Sequence, residues 1–250
     1  MTQDLFRQDA YLRECSAHIT AVTDAGIVLD QTVFYPLGGG QAGDSGVLVL
    51  ADGTQITIAD TRKGKDADGN PTSDIVHVPA PGQEDRVAQL TPGTTVTARI
   101  DWERRHRMMR LHTTSHLLCH VVPQLVNGCS ITPDYARLDF AMTDPLDKEQ
   151  LTAAIATLVA AAHPLTVASI SDEELDANPA LVKSMSVQPP RGTGRIRTIR
   201  IGGEGGAPLI DLQPCGGTHV ANTSEIGGIV VTKIEKKSAT TRRVVLGFAQ

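Results

Sequence analysis

The stretch DWERRHRMMRLHTTSHLLCHVV, residues 101–122, divides the sequence into two parts of different character. Asp101 is a good helix N-cap and Pro123 interrupts helices, so one long helix is predicted between them. Leu111, Leu117 and Leu118 supply much of its apolar face. The sequence before this helix is typical of strands, and the sequence after it mixes helices with strands.

The first hundred residues predict a small β-barrel domain. One hairpin is expected from residues 17–22 and 26–30, and another from 47–50 and 55–58 around Asp52-Gly53. A further strand is expected at 94–100. Short strands at regular intervals are typical of small barrels. Residues 62–74 are charged and rich in turn formers, which predicts a mobile loop.

Residues 101–250 predict a second domain that contains both helices and strands. A helix is expected from Pro145 or Asp147 to Ala162, and strands are expected at 137–141, 196–201, 209–212, 228–235 and 243–248. The predicted fold class is therefore α+β. A small β-barrel domain at 1–100 precedes an α/β two-layer domain at 101–250.

Composition excludes several classes of protein. Apolar residues make up 40% and charged residues 20%, which is typical of neither disordered chains nor coiled coils. No apolar run approaches the ~20 residues of a membrane span, and residues 1–4 lack the layout of a signal peptide. We expect a soluble, cytoplasmic protein, in which the four unpatterned cysteines argue against disulfides.

The net charge of −5 conceals an asymmetry along the chain. The first 100 residues carry 7 basic and 13 acidic residues, whereas the remainder carries 16 and 15. Basic residues of the second part cluster at 104–110, 183–200 and 233–243. Because polyanion binding depends on local potential, these clusters favour a polyanionic partner over ordinary solvated faces.

Two short motifs predict a metal site. In His112-Thr-Thr-Ser-His116, helical spacing places both imidazoles on one face of the helix. In Cys215-Gly-Gly-Thr-His219, two glycines permit a tight turn that presents thiol and imidazole together. Three nitrogens and one sulfur suit a single Zn²⁺ ion. His120, four residues further on, is a poorer ligand because of helical drift.

Four protein ligands leave two roles open for the metal. A closed four-ligand zinc is structural, whereas a catalytic zinc keeps a position open for water or substrate. Either one of the four ligands is displaced by water, or the metal positions the substrate without generating the nucleophile. Cys215 as a nucleophile is the less favoured alternative to Cys215 as a ligand.

At these residues the chain resembles the editing domain of alanyl-tRNA synthetase and its free-standing relatives, the AlaX trans-editing proteins. The likeness extends to Phe34–Gly46, which looks like the glycine-rich motif of that family, and to Gly128–Phe140. Asp211-Leu-Gln-Pro-Cys215 and Glu225-Ile-Gly227 bracket the second motif in the family order. The resemblance covers essentially the whole chain and implies the form of intermediate length.

The resemblance implies hydrolysis of the aminoacyl ester of mischarged alanine tRNA, seryl-tRNA and in some cases glycyl-tRNA. A metal would either lower the pKa of a bound water to ~7 or orient the ester for a separate water. The residues leave this choice open. The catalytic group is therefore unassigned beyond the metal, with Gln41 and Thr114 as candidates.

Substrate contacts are expected in two segments. The glycine-rich segment is either a turn of the barrel or a place where backbone approaches the 3′ end of the tRNA. To reject alanine, the pocket must offer a hydrogen-bond partner to the serine hydroxyl. Ser130 and Thr132, in the segment after the histidine helix, are candidates for this partner. The expected contact residues are Gly38, Gly39, Gly40, Gln41, Asp44, Ser130 and Thr132.

With tRNA as the implied partner, two of the basic clusters become candidate phosphate contacts. These residues are Lys183, Arg191, Arg195, Arg197, Arg200, Lys236, Lys237, Arg242 and Arg243. Two other functions compete with the deacylase. One is a non-catalytic tRNA-binding module in which zinc only holds the fold, and the other is a metallohydrolase of small esters or amides.

Overall fold

The computed structural model of the chain describes residues 1–189, 194–203 and 205–249. It has a mixed α/β architecture with several sheets and divides into two compact units, Met1–His106 and Arg107–Gln250. In the described part of the chain, no helix is long and apolar enough to cross a bilayer.

The first unit is built mainly from strands, six of which pair in a closed cycle, while the other two pair with each other. They are β1 (Gln3–Asp4), β2 (Glu14–Thr23), β3 (Gly26–Leu29), β4 (Gln31–Thr32), β5 (Gly46–Leu50), β6 (Gln55–Lys65), β7 (Pro71–Pro79) and β8 (Thr95–Ile100), accompanied by a 3-10 turn at Leu5–Arg7 and helix α1 (Glu84–Val87). The cycle runs β2-β3-β7-β6-β5-β8, and β8 pairs back with β2. It encloses an aliphatic core that includes Ile19, Leu48, Ile56 and Val96. Both predicted hairpins are confirmed, as β2–β3 and β5–β6.

The predicted mobile loop at 62–74 is wrong. Strand β6 continues to Lys65 and β7 begins at Pro71, with Arg62 opposite Val76 and Lys63 opposite Ile75. Only a short turn intervenes, closed by the Asp66 amide donating to the Asn70 carbonyl over 2.9 Å. The charged side chains of β6 are mostly exposed, and charges on the solvent side of a strand do not oppose pairing.

Helix α2 (Trp102–Val121) forms where the sequence predicts it. The Asp101 carboxylate accepts the Arg104 amide over 3.1 Å, which satisfies one of the unpaired donors at the helix start. The helix ends at Val121, two residues before Pro123. The segment from Leu111 to Cys119 is buried throughout, so α2 is a core helix there.

The second unit contains two antiparallel sheets. The strands are β9 (Val126–Ile131), β10 (Tyr135–Ala141), β11 (Leu165–Ile170), β12 (Ile196–Gly202), β13 (Leu209–Pro214), β14 (Ile229–Ser238) and β15 (Thr241–Phe248). One sheet has the order β14-β15-β10-β9 and the other β11-β12-β13. In β10 and β15, buried residues alternate with less buried ones, as in sheets with one face against a core.

Helices α3 (Lys148–Ala160) and α4 (Asp172–Ala177) and two 3-10 turns, Pro179–Leu181 and Thr223–Ile226, complete the second unit. The Asp147 carboxylate accepts the Gln150 amide over 2.8 Å and so caps α3, which packs against β14. The structure thus confirms, with small shifts at their ends, the predicted helix at 145–162 and the predicted strands at 137–141, 196–201, 209–212, 228–235 and 243–248.

Candidate metal centre

Four side chains of the second unit converge on one point. Helix α2 supplies His112 and His116, and the loop that follows β13 supplies Cys215 and His219. One potential ligand atom from each lies within 4.8 Å of every other. The three histidines are buried and Cys215 is half-buried. These four residues could therefore hold a metal ion, as the spacing of the two motifs predicts.

The distances between donor atoms suit a small tetrahedral ion. The Cys215 Sγ lies 3.3 Å from His219 Nε2 and 3.5 Å from His112 Nε2. Zinc bonds of about 2.0 Å to nitrogen and about 2.3 Å to sulfur, at a tetrahedral angle, separate the two atoms by about 3.5 Å. These two separations, and a donor set of three imidazoles and one thiol, are compatible with zinc.

The electrostatics of the cluster favour a thiolate. Burial would raise the pKa of Cys215, but the charges of His112 and His219 and hydrogen bonds from His112 and His116 lower it well below its ordinary value. Burial, with the charge of His112, lowers the pKa of His219 to about 3. At His116 burial would lower the pKa, but hydrogen bonds and charge from Asp211 and Cys215 raise it to about 9. A bound metal would take the place of that proton, since metals bind thiolate and neutral imidazole.

The loop that carries Cys215 is held by backbone and guanidinium contacts. Arg197 Nη1 donates to the Cys215 carbonyl over 2.6 Å and to the Gly217 carbonyl over 3.1 Å. The Gly217 amide lies 3.4 Å from the Cys215 Sγ and donates to it. Arg197, expected from sequence to contact phosphate, thus fixes the turn between the thiol and the last imidazole.

A network that sequence reasoning missed surrounds His116. Its Nδ1 lies 2.8 Å from Asp211 Oδ2, and that oxygen also accepts the Gln213 amide over 2.8 Å. The second Asp211 oxygen pairs with Lys183. Burial would raise the pKa of Asp211, but the hydrogen bond and charge of His116, together with Lys183, lower it to about 2. Lys183 is therefore engaged with Asp211, beside the four candidate ligands.

Strand alternation could have revealed part of this network. Asp211, Gln213 and Cys215 occupy alternate positions of the chain. Side chains at alternate positions project from the same side of a strand, here β13 and its extension. Thr113 also belongs to the cluster, since its hydroxyl lies 3.2 Å from His219 Nδ1 and accepts the Val220 amide over 3.3 Å. No motif in the sequence distinguishes Thr113 from its neighbours.

The glycine-rich segment lies in the first unit and forms a tight turn. The Gly38 and Gln41 amides donate to each other's carbonyls over 3.1 and 3.0 Å, and Gly39 and Gly40 have φ of 57° and 85°. At Gly43, a Cβ atom would lie 2.2 Å from the Thr61 carbonyl oxygen. The segment therefore requires glycine for reasons internal to this unit, and the Gln41 side chain is fully buried.

Asp44 is accounted for by contacts within the first unit. Its carboxylate accepts Arg105 Nε over 3.0 Å and the Tyr35 amide over 2.6 Å, and it forms an ion pair with the Arg105 guanidinium. Both side chains are almost fully buried. These contacts give Asp44 a structural role, and the sequence-based expectation that it contacts substrate stays a prediction.

Two hydroxyls expected near the substrate are used by the backbone. Thr114 Oγ1 donates to the Arg110 carbonyl over 2.8 Å, one turn earlier in α2. Thr132 Oγ1 donates to the Tyr135 carbonyl over 3.1 Å and accepts the Asp134 and Tyr135 amides, which closes the β9–β10 turn. Ser130, on β9 opposite Arg137, is half-buried and remains a candidate.

The basic residues expected to contact tRNA differ in how accessible their charges are. Arg243 pairs with Asp139 over 2.7 and 2.8 Å, and Arg242 is buried with its guanidinium donating to the Ser238, Thr241 and Thr143 carbonyls. By contrast, Lys236, Lys237 and Arg195 are exposed, and Arg195 Nε donates to Ser169 Oγ over 2.6 Å. Arg200 is half-buried on β12, and Arg191 lies outside the described residues.

Comparison with known families matches two parts of the chain. Residues 196–245 match the threonyl and alanyl tRNA synthetase second additional domain. Residues 7–104 match the class II (A) tRNA synthetases. The first match contains Cys215 and His219, and the second contains the glycine-rich segment.

Whole-chain relatives extend these matches. The alanyl-tRNA editing proteins AlaX-M of Saccharolobus solfataricus and Methanosarcina acetivorans are 32% and 31% identical to the chain, each over 98% of both sequences. The alanine--tRNA ligase of Metallosphaera sedula is 34% identical over 94% of this chain, which spans only 25% of that enzyme. The chain therefore belongs to the AlaX-M family of alanyl-tRNA editing proteins.

Proposed function

We propose that the protein hydrolyses the aminoacyl ester of mischarged alanine tRNA in trans, with seryl-tRNA and in some cases glycyl-tRNA as substrate. It is an aminoacyl-tRNA deacylase, as its family implies. The observation that carries the proposal is the convergence of His112, His116, Cys215 and His219 within 4.8 Å. These residues would hold one Zn²⁺ ion.

The reaction cleaves the bond between the aminoacyl carbonyl carbon and a ribose oxygen of the terminal adenosine. Water contributes hydroxide to the carbonyl carbon and a proton to the ribose oxygen, so a free amino acid and an uncharged tRNA are released. Bound zinc would supply Lewis-acid stabilisation of the developing negative charge, or a fixed point that orients the ester. The three imidazoles are buried, and Cys215 is the most accessible of the four side chains.

Other parts of the chain have supporting roles in this proposal. We assign residues 1–100 to a small β-barrel domain and 101–250 to the editing domain. The cyclic strand order and the division into compact units at His106 support this assignment. The turn at Gly38–Gln41 and the Ser130 hydroxyl are proposed to contact the aminoacyl end. Asp44 instead supports the glycine-rich segment through Arg105.

Phosphate contacts are proposed for the exposed basic residues Arg195, Lys236 and Lys237. Their charges are solvent-accessible, whereas Arg242 and Arg243 are occupied by carbonyls and by Asp139. Lys183 and Arg197 act at the metal cluster. The family's match to tRNA-editing proteins makes tRNA the expected polyanion.

Substitution of a ligand tests the proposal. His116→Ala and Cys215→Ala should both lower bound zinc per chain, measured by atomic emission, and abolish release of serine from seryl-tRNA. His120→Ala is the control, since His120 is exposed on the same helix outside the cluster. Full hydrolysis by either ligand variant at limiting zinc would overturn the site. Zinc binding without hydrolysis in the unmodified protein would favour a tRNA-binding module.

A further inference from the structure

Two of the candidate ligands, His116 and His219, make hydrogen-bond contacts through Nδ1, the ring nitrogen that would not bind the metal. An imidazole has two nitrogens, and the neutral ring can bind a metal only through the one that carries no proton. Hydrogen bonds to the other nitrogen fix which tautomer is present and how the ring is turned. Both His116 and His219 have their Nδ1 atoms in such contacts.

At His116 the contact selects a single tautomer. A carboxylate only accepts hydrogen bonds, so in the neutral ring that binds a metal Nδ1, 2.8 Å from Asp211, carries the proton and Nε2 keeps its lone pair. The Gln213 amide nitrogen lies 3.0 Å from Nδ1, but it also lies 2.8 Å from the same Asp211 oxygen and donates there. The carboxylate therefore aims Nε2 of His116 toward the cluster.

Asp211 is itself held from two directions. It is buried, with one oxygen on Lys183 and the other on His116 and Gln213. Lys183 is fixed because its segment pairs with the edge of β9. The Val126 amide donates to the Lys183 carbonyl over 2.8 Å, and the Met185 amide donates to the Val126 carbonyl over 2.9 Å. The segment anchors the ammonium that holds the carboxylate in place.

At His219 the Thr113 hydroxyl contacts Nδ1, as Asp211 does at His116. Thr113 Oγ1 lies 3.2 Å from Nδ1 and also accepts the Val220 amide, while Nε2 of His219 faces the Cys215 Sγ at 3.3 Å. When Nδ1–H donates to the hydroxyl, Nε2 is free to bind the metal. The same contact ties the final ligand to the helix that carries the first two.

We propose that Asp211, anchored by Lys183, and Thr113 are positioning residues that hold His116 and His219 with Nε2 toward the metal. This inference rests on the metal centre of the proposed function. Contacts of this kind typically change metal affinity or activity 10- to 100-fold when removed. The two residues therefore set how tightly the site holds its ion, without touching it.

The test compares metal affinity in Asp211→Asn and Thr113→Val. Asparagine can donate to Nδ1 and so favours the wrong tautomer of His116, whereas valine removes the acceptor of His219 without changing volume much. Zinc affinity is measured by competition with a chromophoric chelator, and the visible spectrum of the Co²⁺-loaded protein reports ligand geometry. We expect about 10- to 100-fold weaker zinc binding and an altered Co²⁺ spectrum in both variants.

Ser115→Ala is the matched control, because the Ser115 hydroxyl is buried on the same helix and donates only over one turn, to the Leu111 carbonyl. It should bind zinc as the unmodified protein does. Lys183→Met keeps the carboxylate but removes its anchor, so we expect a smaller loss that Lys183→Arg restores in part. Circular dichroism of the metal-free variants verifies folding, so that unfolding is not read as lost affinity.

Unchanged zinc affinity and Co²⁺ spectra in folded Asp211→Asn and Thr113→Val would overturn the inference. Equal losses in Ser115→Ala would also overturn it, because the effect would then be general to this part of α2. Failure of the unmodified protein to bind zinc or Co²⁺ would instead contradict the metal centre of the proposed function. The two failures are therefore distinguishable.

Discussion

Replacement of Asp44 by asparagine tests whether the glycine-rich segment is held by a buried ion pair. Asp44 and Arg105 are 1% and 0% exposed, and the Arg105 guanidinium also donates to the Ala10 and Val33 carbonyls over 3.0 and 2.6 Å. Asparagine preserves shape but leaves the guanidinium buried without a counter-charge. Removal of one partner of a buried pair costs about 3–5 kcal/mol, so we expect a loss of that size.

The assay is urea unfolding followed by fluorescence of Trp102, the only tryptophan. Trp102 lies in the first unit and packs against Tyr11 and the aliphatic core, so its emission reports on this unit. Glu14→Gln is the control, because Glu14 pairs with Arg99 at the surface, both about half exposed. Surface pairs contribute about 0–1 kcal/mol. A loss below about 1 kcal/mol in Asp44→Asn, with a raised KM for aminoacyl-tRNA, would refute the structural role and favour substrate contact.

Three further predictions concern pH dependence, tRNA affinity and stability. Burial lowers the pKa of His77 to about 4, so the unfolded chain, with a pKa of about 6.5, takes up this proton first. The free energy of unfolding should therefore fall by about 3 kcal/mol in total as pH drops from 6.5 to 4. His77→Gln should reduce this pH dependence, measured as the urea midpoint at each pH. Parallel profiles for the variant and the unmodified protein would contradict the prediction. Lys236→Glu with Lys237→Glu should raise KM for aminoacyl-tRNA several-fold and reduce its salt dependence, whereas unchanged salt dependence would remove this surface from the tRNA interface. Arg242→Met should instead lower stability, because its buried guanidinium caps three carbonyls.

Local signals in the sequence predict much of the fold. Asp101 and Pro123 bracket α2, and Asp52-Gly53 marks the β5–β6 hairpin, because caps and turns act over a few residues. The segment at 62–74 misled the prediction because its charges and turn formers suggested a loop. In the structure the charges lie on exposed positions of paired strands, and cross-strand pairing is a non-local property that composition does not reveal.

In the candidate site too, the sequence predicts the local features and not the contacts between distant residues. Motif spacing predicts that His112, His116, Cys215 and His219 meet, since each pair is local and suits one ion. The partners of the cluster are distant in sequence from the residues they hold. Lys183 lies 28 residues from Asp211, and Thr113 lies 106 residues from His219. Basic residues that cluster in sequence separate in the fold into half-buried anchors such as Arg197 and exposed charges such as Lys237.

The central claim, metal-dependent editing of mischarged alanine tRNA, is tested most directly by release of radiolabelled amino acid. Alanine tRNA charged with serine, glycine or alanine would be incubated with the zinc-loaded protein and with a chelator-stripped sample of verified fold. We expect release of serine, and of glycine if the pocket admits it. This release should be lost on chelation, and alanine should remain esterified in both samples. Serine release of equal rate in the stripped sample would contradict metal dependence. No release of any of the three amino acids, with salt-dependent tRNA binding intact, would contradict the editing activity itself.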